Sequence, residues 1–463
     1  EHPRPQFQRP RWINLNGPWS FAFDVGVSGL DREWHTRHGF EQKILVPFCP
    51  ESALSGVGYT DFIPAVWYHR TFTLPPAWSG ARVLLHFGGV DYECHAFVDG
   101  VCVGRHTGGS ASFTFDITAH ARPGHAQHLV VYARDDQRGG AQAYGKQSAH
   151  YYSHGCSYTR TTGIWQTVWL EAADLCGLQE LQIVADTAAG AFVVTPSWYA
   201  TRAGLRARFQ VNDGKRLVCE RRVAAAQGVP VVLPVPSPHL WSPDDPHLYG
   251  VRCTLLDERG RAIDDVRSYA GLRTIACEGG VVLLNNQPLY LRLVLDQGFY
   301  PDGVWTAPSD AALKHDIVLA QRAGFNGARL HQKVFEERFH YWADRLGYVT
   351  WGESASWGMD LSGSAAARNF LAEWRAIVVR DRNHPSIIAW TPFNETNPKY
   401  HSFDGRLQRD VYGLTKSLDP TRPVNDASGW CHELTDLFTV HNYEQDAAKL
   451  AHQLARDEQG RVW

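Results

Sequence analysis

The chain has 463 residues, 44% hydrophobic and 12% aromatic, which is enough for several buried cores and for roughly two to four domains. A formal net charge of −3 excludes the basic excess that grips phosphate backbones, so nucleic acid is not an expected partner. No run approaches the ~20 apolar residues that cross a bilayer, so a soluble chain is expected, cytoplasmic or secreted, with no membrane partner.

From residue 1 to about 172, short strands alternate with Gly, Pro and Asp turns, among them 19–23, 66–72, 83–87, 95–98, 129–132 and 166–170. Their alternation of apolar and polar residues predicts one buried and one wet face, and Asp99-Gly100 predicts a two-residue hairpin turn. A jelly-roll β-sandwich over 1–172 follows. Residues 173–277 form a second β segment, punctuated at Asn212-Asp213-Gly214 and 257–260, of the size of one immunoglobulin-like sandwich.

Over 278–463 the pattern changes to alternating strand and helix. Strands are predicted at 289–295, 325–330, 348–352 and 387–393, with further units ending at 423–426 and 438–442. Ser309 is placed to cap a helix with Leu313, Ile317 and Ala320 on one face, stopping at Gly324. Phe339, Trp342 and Leu346, closed by Gly347, mark a second helix; Phe370, Trp374 and Val378 mark a third. Six β/α units have the tempo of a (β/α)8 TIM barrel, so strands seven and eight are expected after Trp463. The chain therefore reads as a truncated record, or as one partner of a barrel that a second chain or a homo-oligomer completes. Nine cysteines without a CxxC pair read as small buried hydrophobes, and Lys333, Glu336 and Glu337 read as a solvated helix start.

Residues just past barrel strands converge on one mouth. In order they are Asp296 and Gln297, Arg329 and His331, Glu353 and Trp357, Asn394-Glu395, Asp426, and His441 with Tyr443. Carboxylates, hydrogen-bond donors and aromatic rings without a Ser or Cys nucleophile or a phosphate loop suit a polyhydroxylated ligand. Glu395 follows an apolar run, 387–393, and is placed for proton transfer; a surface-loop carboxylate is the alternative. Arg329 either contacts the ligand or braces a carboxylate, and Trp357 either stacks on a sugar or packs in the core.

The chain resembles glycoside hydrolase family 2, the family of β-galactosidases, β-glucuronidases and β-mannosidases. The resemblance rests on Asn14 to Phe21, Trp67-Tyr68-His69-Arg70, Phe87 to Asp91 and Gly163 to Gln166 in the first segment. It continues through 238–249 and Gly271-Leu272-Arg273, then Asn326 to His331, Trp342 to Gly347, Arg382 to Ile387 and Trp390 to Glu395. It implies that Glu395 is the general acid/base and that Asn394 bonds the sugar 2-hydroxyl. An apolar wall is expected to keep Glu395 protonated near neutral pH. Retaining hydrolysis needs a second carboxylate ~5–5.5 Å away as nucleophile, expected beyond Trp463 on strand seven. His331, Arg329, Glu353, Trp357, His441 and Tyr443 are the expected substrate-binding residues. Ser356-Trp357-Gly358 stands where one branch of the family carries a metal-binding pair, so no metal and no cofactor are expected. The expected activity is that of an exo-acting retaining β-glycosidase, β-galactosidase-like, hydrolysing O-glycosyl bonds of a carbohydrate substrate, with these 463 residues alone expected to be inactive. The alternative is a carbohydrate-binding or catalytically dead glycosidase-like protein.

Overall fold

The computed structural model describes residues 1–397 and 405–454. In the first domain the alternating strands pair into a six-stranded and a four-stranded antiparallel sheet. Their inward faces meet in one core that includes Trp19, Phe21, Tyr68, Phe87 and Leu170, as a jelly roll requires. The Asp99-Gly100 turn forms as expected: Val98 faces Val101 across the hairpin, with both turn residues at positive φ, 49° and 81°.

The second domain sets a three-stranded sheet, Leu178–Asp186, Ala191–Trp198 and Val231–Pro234, against a four-stranded one. Seven strands around Phe192, Phe209, Tyr249 and Val251 make an immunoglobulin-like sandwich. A small three-stranded sheet over residues 275–288 then leads to the barrel, where Trp241, Ile275, Leu284 and Val349 share one cluster.

Four parallel strands follow in sequence order: Leu293–Asp296, Gly327–Leu330, Val349–Glu353 and Ile387–Thr391. Three helices cover them, Asp310–Arg322, Glu337–Leu346 and Ser364–Asp381. Ser309 Oγ accepts the Ala312 amide, and Gly347 ends the second helix at φ 67°. Pro392 has no N–H to donate, and strand four leaves its ladder there. It resumes at Phe393–Asn394, paired with a fifth parallel strand, Ala427–Ser428, below which Trp390 bridges Val424. Strand four thus turns from its third neighbour to its fifth just before Glu395.

Three local expectations are corrected. Residues 438–442 form no strand: side chains, not a ladder, tie them to strand five, with Thr439 Oγ1 accepting the Gly429 amide at 3.0 Å and His441 Nε2 lying 3.0 Å from Ser428 Oγ. Phe438 and Val440 face outward and supply no apolar face for a ladder to bury. Lys333 and Glu337 are buried rather than solvated: Lys333 Nζ donates to the carbonyls of Gly298 and Trp305 in the loop after strand one, at 2.6 and 2.7 Å, and Arg4 Nε of the N-terminal segment lies 3.8 Å from Glu337. Of the cysteines, Cys49, Cys94, Cys219 and Cys253 are buried, but Cys102 and Cys156 are exposed.

The jelly roll also reaches the barrel mouth. Its loop over residues 135–162 lies against the segment after strand three: the Tyr144 amide donates to the Trp357 carbonyl at 2.8 Å, and the Asp360 amide to that of Gly140 at 2.9 Å. Gly145 and Gly358 make this approach close. A Cβ on Gly145 would sit 2.5 Å from the Gln332 carbonyl oxygen, and one on Gly358 would sit 2.0 Å from the Tyr144 ring.

Candidate active site

Strand two delivers Arg329 and His331, strand three Glu353, and strand four Asn394 and Glu395, so their side chains meet at one end of the sheet. Glu353 is the hub of the buried half. Its carboxylate accepts from Arg329 Nε at 2.6 Å, Arg329 Nη2 at 3.1 Å, His331 Nδ1 at 2.8 Å and the Gln332 amide at 3.0 Å. Burial pushes this carboxyl up, but Arg329 and His331 outweigh it and hold it below its ordinary range. His331 is held down, first by burial, with Glu353 opposing.

Arg329 joins this hub to strand four. Its Nη2 donates to Asn394 Oδ1 at 2.7 Å, which orients the amide. The Asn394 amide N–H donates to Ser356 Oγ at 3.2 Å, and Trp357 Nε1 lies 3.3 Å from the Asn394 carbonyl. Gln332, at φ 56°, crosslinks the same turn: its Oε1 accepts the Ser356 amide at 2.8 Å and its Nε2 donates to Ser356 Oγ at 3.0 Å.

Glu395 stands on the open side, at φ 52°, a left-handed conformation uncommon for a residue with a Cβ. Its amide is fixed by the Ser428 carbonyl at 2.9 Å. His441 Nδ1 lies 2.7 Å from Glu395 Oε1, and Tyr443 Oη donates to the same oxygen at 2.8 Å. Hydrogen bonding from His441 is the main cause that holds the Glu395 carboxyl down at about 2, with Tyr443 and Trp430 adding to it against the effect of burial. The expected apolar wall is therefore corrected: without a ligand Glu395 is ionised, because donors rather than hydrocarbon surround its oxygens.

The structure brings together Arg329, His331, Glu353, Trp357, Asn394, Glu395, His441 and Tyr443, but it assigns the other mouth residues elsewhere. Asp426 is fully buried and accepts from Gln408, His432 and the amides of Glu433 and Leu434, so it pins a turn. Asp296 accepts the Gly298 amide at 2.9 Å in the loop after strand one, where burial pushes its carboxyl up. Gln332, Ser356, Ser428 and Lys146 were missed by reading strand ends alone. Gly145 and Gly358, two glycines flanking an aromatic contact, were the available signal for the last.

A cavity of about 620 Å³ lies elsewhere, between the three domains, and its lining, which includes Arg4, Arg82, Trp169, Tyr199 and Arg375, contains none of these residues. Among the described residues no group of three or more His, Cys, Asp or Glu side chains is arranged to hold a metal ion.

Three models of one family match in order: glycosyl hydrolases family 2, sugar binding domain, over 13–170; glycosyl hydrolases family 2 over 197–273; and its TIM barrel domain over 275–460. The chain belongs to glycosyl hydrolases family 2. A beta-glucuronidase of Paenibacillus borealis is 26% identical over 446 residues, 89% of this chain and 72% of that protein. A beta-galactosidase of Psychromonas ingrahamii is 25% identical over 91% of this chain, which spans 40% of that relative. The solved β-glucuronidase of Ruminococcus gnavus in complex with D-glucuronic acid superposes with a TM-score of 0.77 at 22% identity, covering 90% of this chain and 73% of that one. That likeness is one of fold. Relatives with both printed activities match this family member, so the family alone does not select the β-galactosidase expected from the sequence.

Proposed function

We propose that the mouth is the proton-transfer half of a retaining β-glycosidase site acting on a terminal β-linked sugar, with Glu395 as acid and then base. The observation that carries this is the pair Asn394-Glu395 at the tip of strand four, with the amide oriented by Arg329 and the carboxylate held by His441 and Tyr443. The ionised carboxylate of the unliganded site suits the second step, in which a base takes a proton from water. The first step needs the same group protonated. A sugar that displaces the exposed Tyr443 hydroxyl removes one of the lesser donors that favour the anion, and the carboxyl then rises from its depressed position.

Glu353 is proposed as a brace rather than the nucleophile, because four hydrogen bonds already occupy its oxygens. The nucleophile is then a carboxylate outside the described residues. An exo mode is supported by the jelly-roll loop that lies against the mouth segment at Trp357.

The test is Glu395→Gln in a version that carries the complete barrel, assayed on nitrophenyl β-glycosides. A loss of about 10²–10⁴-fold, the ordinary contribution of a general acid/base, is expected; turnover within about tenfold of the parent would refute the role. Sugar binding without turnover in the parent would instead favour a carbohydrate-binding protein.

A further inference from the structure

The cavity of about 620 Å³ between the three domains lies apart from the mouth and has its own cations. Lys146, by contrast, belongs to the mouth, with its Nζ 3.7 Å from the centre of the Trp357 ring. The cavity floor is the outer face of the four-stranded jelly-roll sheet. Strand alternation puts Leu85, Phe87, Val168 and Leu170 into the jelly-roll core, so His86 and Trp169, which are paired across the sheet, face the other way. Their rings stack with centroids 4.7 Å apart. Tyr199 of the second domain and Arg375 and Arg380 of the helix Ser364–Asp381 supply the walls, and the N-terminal Arg4 joins them. The volume is that of an ordinary small-molecule site, and the exposed Arg375 stands on its lining.

Three buried side chains on this lining carry a nitrogen without a hydrogen-bond partner, and all three can donate. Trp169 is 1% exposed, and its Nε1 has no acceptor. His86 is 2% exposed; Thr114 Oγ1 lies 2.8 Å from its Nδ1, while Nε2 is 4.0 Å from Glu171, too far to bond. Arg380, with its side chain 5% exposed, uses Nε and Nη2 on Asp381 and the Phe335 carbonyl and leaves Nη1 without an acceptor. Buried donors without acceptors are destabilising, and three on one cavity call for a ligand rich in oxygen acceptors. The acids nearby do not fill that role. Asp116 is paired with Arg82 and Glu180 with Arg382, while burial raises the Glu337 carboxyl, which Arg4 approaches only to 3.8 Å.

We propose that this cavity is a second, non-catalytic ligand site that binds the oxyanion of a small metabolite, a phosphate or a carboxylate group, and clamps the three domains together. The oxygens accept from Trp169 Nε1, His86 Nε2 and Arg380 Nη1, and the guanidinium groups of Arg4 and Arg375 supply the charge. Because each domain contributes a wall, an occupied cavity resists their separation, and the ligand stabilises the folded chain by mass action. The inference does not depend on the glycosidase reading.

The test uses the protein in a version that carries the complete barrel. It is titrated by calorimetry with inorganic phosphate and with citrate, against sodium chloride at equal ionic strength, and its melting temperature is followed in parallel. At least one of the two anions should bind with a Kd of about 1 mM or below and raise the melting temperature with concentration. Binding of phosphate alone assigns a phosphate group, and binding of citrate alone a carboxylate. Arg375→Ala should weaken binding roughly tenfold or more, the loss of one charge-assisted hydrogen bond, and Trp169→Phe, which keeps a ring beside His86, about threefold to tenfold. Arg375→Ala, a surface change, should leave the unliganded melting temperature within about 2 °C of the parent and glycoside turnover unchanged. No saturable binding of either anion overturns the inference, and so does binding that both variants leave unaltered; the cavity is then a solvent-filled gap between domains.

Discussion

Two glutamates on neighbouring strands occupy the same mouth and differ in every feature that decides what a carboxylate can do. Glu353 is 2% exposed, and its partners Arg329, His331 and Gln332 are themselves buried or nearly so. Glu395 is half buried, and two of the groups that hold it, Tyr443 and Trp430, are 72% and 45% exposed. Both carboxyls are held below their ordinary range, but for different reasons: a fixed guanidinium beside one, and on the other hydrogen bonds, from His441 first and then from the exposed Tyr443 and Trp430. A locked acid positions its neighbours. An acid with partners that a ligand can move is able to change protonation during a reaction.

This contrast can be broken from either side. The largest structural effect is expected from Arg329→Met, which removes the guanidinium from the buried Glu353 carboxylate and leaves it only His331 and the Gln332 amide; a loss of about 3–5 kcal/mol should be seen in urea unfolding, together with lost orientation of Asn394. Stability within about 1 kcal/mol of the parent would mean that Glu353 is not locked. A smaller effect is expected from Gly145→Ala. Its positive φ of 59° and the 2.5 Å approach to Gln332 should cost about 1–3 kcal/mol and lift the jelly-roll loop, raising KM more than it lowers kcat.

The smallest effect is a pH dependence. A folded carboxyl held at about 2 contributes stability that is present above its unfolded value near 4.3 and is lost as pH falls towards 2. His441→Phe removes the main cause of that depression, so the variant should lose less stability than the parent between pH 5 and 3, when unfolding midpoints are compared. An unchanged difference between those two pH values would show that His441 does not hold Glu395.

Much of this contrast was legible in the chain, and the part that was not has physical reasons. The hairpin at Asp99-Gly100, the cap at Ser309 and the stop at Gly347 depend on local chemistry, so sequence sufficed for them. The convergence of Arg329, Glu353 and Glu395 followed from strand ends, because a parallel sheet sends them all one way. The ionisation of Glu395 was misjudged because its donors, His441 and Tyr443, come from a stretch without ladder pairing, where no periodicity indicates direction. Lys146 was missed because it arrives from another domain, about 250 residues before Glu395 in the sequence, through a loop with no strand or helix pattern of its own.

The central claim is that Glu395 moves the proton while another carboxylate attacks the sugar. Glu395→Ala should lose activity on a nitrophenyl glycoside and regain part of it with added azide, releasing a glycosyl azide of retained β configuration, since the small anion needs no base to attack a covalent intermediate. Turnover of Glu395→Ala within about tenfold of the parent, or an azide product of inverted configuration, would contradict that assignment.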